Sequence, residues 1–288
     1  MAPRNKRLTG RSPIAWIGGK SALAQRIINL FPPHQVYVEV FGGGAHVLAR
    51  RKLGLSAEVY NDVNGDLVNL FRVIREPRLM RLMTEYLANT PYSRRQFYAW
   101  RAQMGTPAWE ALPPWERAAR WYAVLRMAFA GRIHQPSWGY SIRRKSWTPV
   151  GFRNSTLALR AFARRLGSVQ IESLDCVDLI TRYDTEDTLF YCDPPYVETE
   201  HYYAGERFRE KDHRRLAATL RAITGRALVS YGPHALVDEL YPAPHWRRRS
   251  FGAVYRSLRP SQGMKRAEEI VLMNYDPPEV PDATCRSL

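Results

Sequence analysis

Two short β-rich runs in this chain end in residues through which no strand can continue. Residues 36–40 run into Phe41 and then three glycines, Gly42-Gly43-Gly44, and residues 189–192 run into Asp193-Pro194-Pro195. Glycine lets the backbone reverse sharply and approach a ligand closely. Two consecutive prolines fix φ and remove two N–H donors. Around these stops, strand and helix patterns alternate. Apolar residues at helical spacing (Leu23, Ile27, Leu30) predict a helix over 21–31, closed by Pro32-Pro33. The glycine turn leads into a helix over 45–51, then a strand over 58–61 and a helix over 66–75. The rhythm resumes later, with strands over 169–171, 189–192, 227–231 and 270–274 and a helix over 212–223. Such alternation predicts an α/β fold: a mostly parallel sheet with helices on both faces.

Residues 76–165 break the rhythm. Helices are expected near 78–88, 94–103 and 115–129, then an irregular basic stretch over 131–154 and a helix near 155–166. At 288 residues, the chain has room for one large α/β domain, 1–75 with 166–288, and a mainly helical insertion, 76–165. Charge concentrates in that insertion. It holds sixteen Lys and Arg, four Glu and no Asp, a surplus of twelve where the whole chain carries +16. It also holds six of the eight tryptophans, and basic residues interleaved with aromatics suit phosphate contact and base stacking. A polyanion is therefore the expected partner.

Other classes fit poorly. No apolar run is long enough to span a bilayer, and the basic start of the chain lacks the apolar stretch of a secretory signal. Three scattered cysteines make neither a disulfide framework nor a zinc ribbon, so a cytoplasmic protein is expected. No histidine belongs to a recognisable metal-ligand set, and His34, His201 and His213 read as surface or lid residues. No metal is expected.

The chemistry sits at the two strand ends. About twenty residues after the glycine turn, Tyr60-Asn61-Asp62 closes the second strand with a carboxylate, where nucleoside-binding folds accept ribose hydroxyls. The turn is not G-x-G-x-x-G, which disfavours a nicotinamide cofactor, and Gly18-Gly19-Lys20-Ser21 lacks the first glycine of a Walker A loop. In Asp193-Pro194-Pro195-Tyr196, a carboxylate and the next carbonyl are fixed side by side at a strand end. That pair suits an exocyclic NH2 with two hydrogens to donate, and Tyr196 offers a ring to stack under a planar base. The segment 198–208 reads equally as a lid or an ordinary surface loop.

In this order, Trp16-Ile17-Gly18-Gly19-Lys20, residues 37–45, Asp62 and Asp193-Pro194-Pro195-Tyr196 resemble the Dam-type DNA adenine N6-methyltransferases over nearly the whole chain. The resemblance implies a Rossmann-like sheet dependent on S-adenosylmethionine, with a target-recognition insertion acting on double-stranded DNA. It implies that Trp16 and Lys20 hold the cofactor and that Phe41, Gly42 and Gly43 belong to its methionine-binding loop. It further implies that Asp62 binds the ribose, that Asp175 contacts the adenine, and that Asp193 lies near the methionine amino group. Asp193, Pro194, Pro195 and Tyr196 would form the catalytic motif. Within the insertion, Arg132 is the expected base reader and Arg143, Arg144 and Lys145 the expected phosphate contacts. Two departures stand out. Ala45 replaces the last glycine of the loop, which is harmless only if φ there is negative. Phe129-Ala130-Gly131-Arg132 lacks the asparagine that GATC readers tend to carry, which speaks against GATC as the target. Cytosine N4-methyltransferases usually carry Ser in place of Asp193, and RNA or protein N-methyltransferases more often Asn. A non-enzymatic DNA-binding protein would explain the charge but not the ordered motifs.

Overall fold

The computed structural model describes residues 10–16, 18–54, 56–129, 136–140, 148–198, 208–256 and 265–279. Seven strands form one sheet: β1 (Val36–Glu39), β2 (Ala57–Asn61), β3 (Val169–Glu172), β4 (Thr188–Cys192), β5 (Arg226–Tyr231), β6 (Arg247–Arg256) and β7 (Lys265–Met273). Their order is β3-β2-β1-β4-β5-β7-β6. The first five are parallel, β7 runs antiparallel to β5, and β6 pairs antiparallel with β7. Chain order thus reverses between β1 and β4. In an open α/β sheet, ligands bind at such a reversal, outside the carboxyl ends of the strands. One side of that point carries the glycine turn, the other Asp193-Pro194-Pro195-Tyr196.

Strand side chains alternate between two cores. Tyr37, Leu189, Tyr191 and Leu228 face one. Val38, Phe190, Cys192, Ala227 and Val229 face the other. The first core takes α1 (Ala24–Ile28), α2 (His46–Arg50), α3 (Gly65–Arg75), α4 (Pro77–Ala88), α5 (Arg94–Gln103), α6 (Pro107–Glu110), α7 (Pro114–Met127) and α8 (Thr148–Arg165). The second takes α9 (Cys176–Tyr183), α10 (Glu210–Ala222) and α11 (Ala235–Leu240). Side-chain caps set several helix starts. Asn64 accepts from Leu67 N at 3.0 Å, and Ser93 caps α5. Pro77 and Pro114 open α4 and α7, where a missing N–H costs nothing.

The differences from expectation have local causes. The 21–31 helix is only α1, with turns on either side. Part of the stretch expected to be irregular, 148–154, is the first two turns of α8, whose Pro149 is compatible with a helix start. Helices α9 and α11 were not expected because they are short. Strand β6 was not expected because Arg247-Arg248-Arg249 reads as a solvated charge run. It is an edge strand, where arginines block further pairing. The aromatic reading of the insertion also changes. Trp100, Trp109 and Trp121 are buried in the first core, together with sheet residues such as Tyr37 and Tyr60, and cannot stack on bases. His213, expected on a surface or lid, is fully buried against Tyr231, its Nδ1 2.8 Å from the Tyr231 hydroxyl. His34 is half-buried, with Nε2 2.9 Å from Arg51 Nη2. No helix among the described residues is long and apolar enough to cross a membrane.

Candidate active site

The glycine turn after β1 is held from β2. Gly42 N donates to Asn61 O at 2.7 Å, Tyr60 Oη donates to Gly43 O at 2.8 Å, and Gly43 N donates to Asp62 Oδ2 at 2.8 Å. Asp62 Oδ1 accepts from Asn64 N at 2.8 Å. The side chain of Asn61 donates to Val40 O and Leu174 O and accepts from Leu174 N, tying the ends of β1, β2 and β3 into one rim. The turn has no room for side chains. A Cβ on Gly42 would lie 2.1 Å from the buried Tyr60 ring, and one on Gly43, whose φ is +46°, 2.5 Å from Trp16 Nε1. Bare backbone at a strand end is what close approach of a ligand requires. Phe41 borders the turn, edge-on to Phe208 at 5.6 Å. Burial pushes the Asp62 carboxyl up, against the two backbone N–H groups it accepts.

The second half of the site follows β4. Lys20 Nζ sits 2.7 and 2.8 Å from the two Asp193 oxygens and 3.0 Å from Gly18 O. Lys20, expected at the cofactor, joins the N-terminal loop to the Asp193 carboxylate, 173 residues away. Lys20 also lies 3.6 Å from Glu269 Oε1 and 5.0 Å over the Tyr196 ring. Tyr196 Oη donates to Glu269, and Ser230 Oγ donates to the same oxygen at 2.6 Å. Burial pushes Asp193 up to about 6; Lys20 opposes that shift and Glu269 adds to it. Pro194 is buried and Pro195 half-buried beside it. Trp16 packs 6.3 Å from Trp121 of α7, so α7 borders the glycine-turn side of the site.

Asp175 stands apart. It caps α9, accepting from Val177 N at 2.9 Å, and pairs with Arg215 near the surface. Ala45 has φ +53° and ψ +42°, so the alanine occupies the left-handed region that the missing glycine would favour. Arg132, Arg143, Arg144 and Lys145 lie outside the described residues, as do Ile17, His201 and most of segment 198–208. Among the described residues no group of three side chains could hold a metal. Glu39, Ser230 and Glu269 were not expected beside the site. Glu39 is buried on β1, accepts from Tyr37 Oη and Leu48 N at 2.8 Å each, and is pushed by burial up to about 8. Glu269 had a readable signal. In Glu268-Glu269 running into residues 270–273, strand alternation sends one carboxylate outward and the other into the sheet. Glu268 is the exposed one, bound to Ser250.

A mostly parallel sheet with a backbone-lined turn and a carboxylate on one side of its reversal, and Asp193-Pro194-Pro195-Tyr196 on the other, places the candidate site where α/β enzymes bind their ligands. Residues 16–250 match the family model described as D12 class N6 adenine-specific DNA methyltransferase, and the chain belongs to that family. It is also similar to a DNA N-6-adenine-methyltransferase of Escherichia phage P1, 26% identical over 221 residues. The match takes in 73% of this chain and 28% of the phage protein, so the chain spans less than a third of that relative's length. The mixed sheet, flanked by helices, fits a methyltransferase fold.

Proposed function

We propose that the protein methylates N6 of adenine in double-stranded DNA, with S-adenosylmethionine as donor and the target base flipped out of the duplex. The observation that carries this reading is the convergence of Lys20, Asp193 and Tyr196 beside a turn in which a Cβ on Gly42 or Gly43 has no space. The residues fit the cofactor. Gly42 and Gly43 offer bare backbone, Asp62 a half-buried carboxylate for ribose hydroxyls, and Trp16 and Phe41 apolar walls. Asp175, capping α9 at the rim, is assigned to the adenine. Bound there, S-adenosylmethionine supplies an electrophilic methyl group.

The residues of this chain do the rest. Asp193 and the Pro194 carbonyl each accept one N6–H, which turns the nitrogen lone pair toward the methyl group. The amine becomes N-methylated and gives up one proton, with Asp193 as the nearest acceptor. Pro195 stiffens the turn. Tyr196 stacks on the base, whose extraction from the duplex costs a few kcal/mol. Arg132 is assigned to a base edge, and Arg143, Arg144 and Lys145 to phosphates, with 76–165 as the target-recognition segment. Purified protein and adenine-containing duplex DNA test the reading. Wild type should yield N6-methyladenine, and Asp193→Ala should not, while losing less in cofactor affinity. Near-normal turnover in Asp193→Ala overturns the assignment.

A further inference from the structure

His46, the first residue of α2, stands between the N-terminal loop and the turn after β1. A Cβ on Gly19 would lie 2.5 Å from both Cδ2 and Nε2 of its ring, and one on Gly44 2.9 Å from Nε2. Glycine at both positions makes room for the imidazole. The ring is half-buried, and neither of its nitrogens has a hydrogen-bond partner among the described residues. A ring that only filled this slot would be better apolar, since polar atoms drawn out of water without a partner cost free energy. Burial and then the nearby Lys20 push the His46 pKa down to about 4, so the imidazole is neutral at pH 7. It brings one N–H donor and one acceptor to the site and adds no charge.

We propose that His46 is a further cofactor-binding residue, its N–H donating to the carboxylate of S-adenosylmethionine. The inference rests on the function proposed above and deepens it. That carboxylate is the one anionic group of the methyl donor. Asp62, which accepts from Gly43 N on the β2 side of the turn, repels it. The loop that carries Lys20 supplies the opposite charge, and His46 stands against that loop at Gly19. The Lys20 ammonium is already engaged, 2.7 and 2.8 Å from the Asp193 oxygens and 3.0 Å from Gly18 O. It attracts the carboxylate through space, while His46 supplies the directed hydrogen bond that fixes it. The bare backbone of the turn gives the cofactor room. His46 makes the site prefer a nucleoside that carries the amino-acid end over one that lacks its carboxylate.

Calorimetric titration of the full chain with two ligands tests this: S-adenosylhomocysteine, and its decarboxylated analogue, which keeps the nucleoside, the sulfur and the amine. Wild type should bind the first at least about tenfold more tightly, the size of a hydrogen bond to a charged group. His46→Ala should lose about tenfold for S-adenosylhomocysteine and stay within about twofold of wild type for the analogue. Equal losses for the two ligands would mean that His46 only packs the slot, and they overturn the inference. Unchanged affinity for S-adenosylhomocysteine overturns it as well. If His46→Ala does not fold, His46→Phe, which keeps a ring in the slot without an N–H, is read by the same comparison. If neither folds, imidazole-nitrogen NMR of wild type decides. The His46 resonances should move with S-adenosylhomocysteine and not with the analogue, and equal movement or none overturns the inference. A wild type that binds both ligands alike overturns the inference alone, whereas one that binds neither refutes the proposed donor and the inference with it.

Discussion

At the scale of single residues, the proposed function divides the work between Asp193 as acceptor and Asp62 as anchor. Asp193 must be ionised to accept from the amine, and burial places its titration near pH 6. Turnover at saturating substrates should therefore fall about tenfold per pH unit below that value. A profile flat down to pH 5 would assign the acceptor role elsewhere. Asp62 accepts from Gly43 N and Asn64 N, and the proposed function assigns its carboxylate to a ribose as well. Asp62→Ala should weaken S-adenosylmethionine binding by roughly 1.5–3 kcal/mol, the usual loss for a charged acceptor. Titration calorimetry reads it directly, and unchanged affinity would leave Asp62 as a brace for the turn alone. Ala45 shows why a departure from the family loop is tolerated. Its left-handed backbone costs an L-residue roughly 1–2 kcal/mol. Its fully buried methyl returns about 0.8 kcal/mol of that.

At the scale of elements, the turn after β1 and the strand before it depend on buried neighbours. Gly42→Ala should destabilise the protein by about 1–3 kcal/mol, as overpacking of a fixed core does. The thermal melt should drop together with cofactor affinity; a melt matching wild type would mean that the Tyr60 ring can move aside. Glu39 makes the strand sensitive to alkali. Its folded pKa of about 8 lies above the ordinary glutamate value of 4.5, so the stability linked to its protonation is complete below about 4.5 and lost as pH rises through 8. Glu39→Gln keeps a neutral acceptor for Tyr37 and Leu48. Its melting temperature should fall less between pH 5 and pH 8.5 than that of wild type, and equal falls would remove Glu39 as the cause. The strands and motifs legible in the sequence were those with two-sided apolar runs or Gly and Pro stops, such as β1, β4 and the acceptor motif. The rest was illegible for physical reasons. Strand β6 reads as charge because it is an edge, α9 and α11 are too short for periodicity, and Glu269 meets Lys20 only through pairing of distant strands.

At the scale of the whole molecule, the surplus of basic residues in 76–165 is the expected hold on DNA. Substituting Arg143, Arg144 or Lys145 by alanine should weaken binding to cognate and scrambled duplexes alike and reduce the salt slope by about one per contact. Substituting Arg132 should instead cost about 1–3 kcal/mol on the cognate site and relax the choice at one base. Binding at two salt concentrations separates the two. If none of the four changes affinity, slope or the pattern of methylated sites, reading lies elsewhere, with the arginines of β6 next in line. The continuous core has a consequence for anyone who would retarget such an enzyme. Trp121 is sealed in with Tyr37 and Tyr60, and α7 packs on α3, so helices on either side of residue 76 fill one another's cavities. A chimera spliced at 75/76 and 165/166 would tear that packing and bring a foreign face against the sheet. If the reading role proposed for Arg132 and its neighbours holds, a graft cut inside it, after Met127 and before Thr148, should change the methylated sequence while the host keeps the helices that hold its own centre.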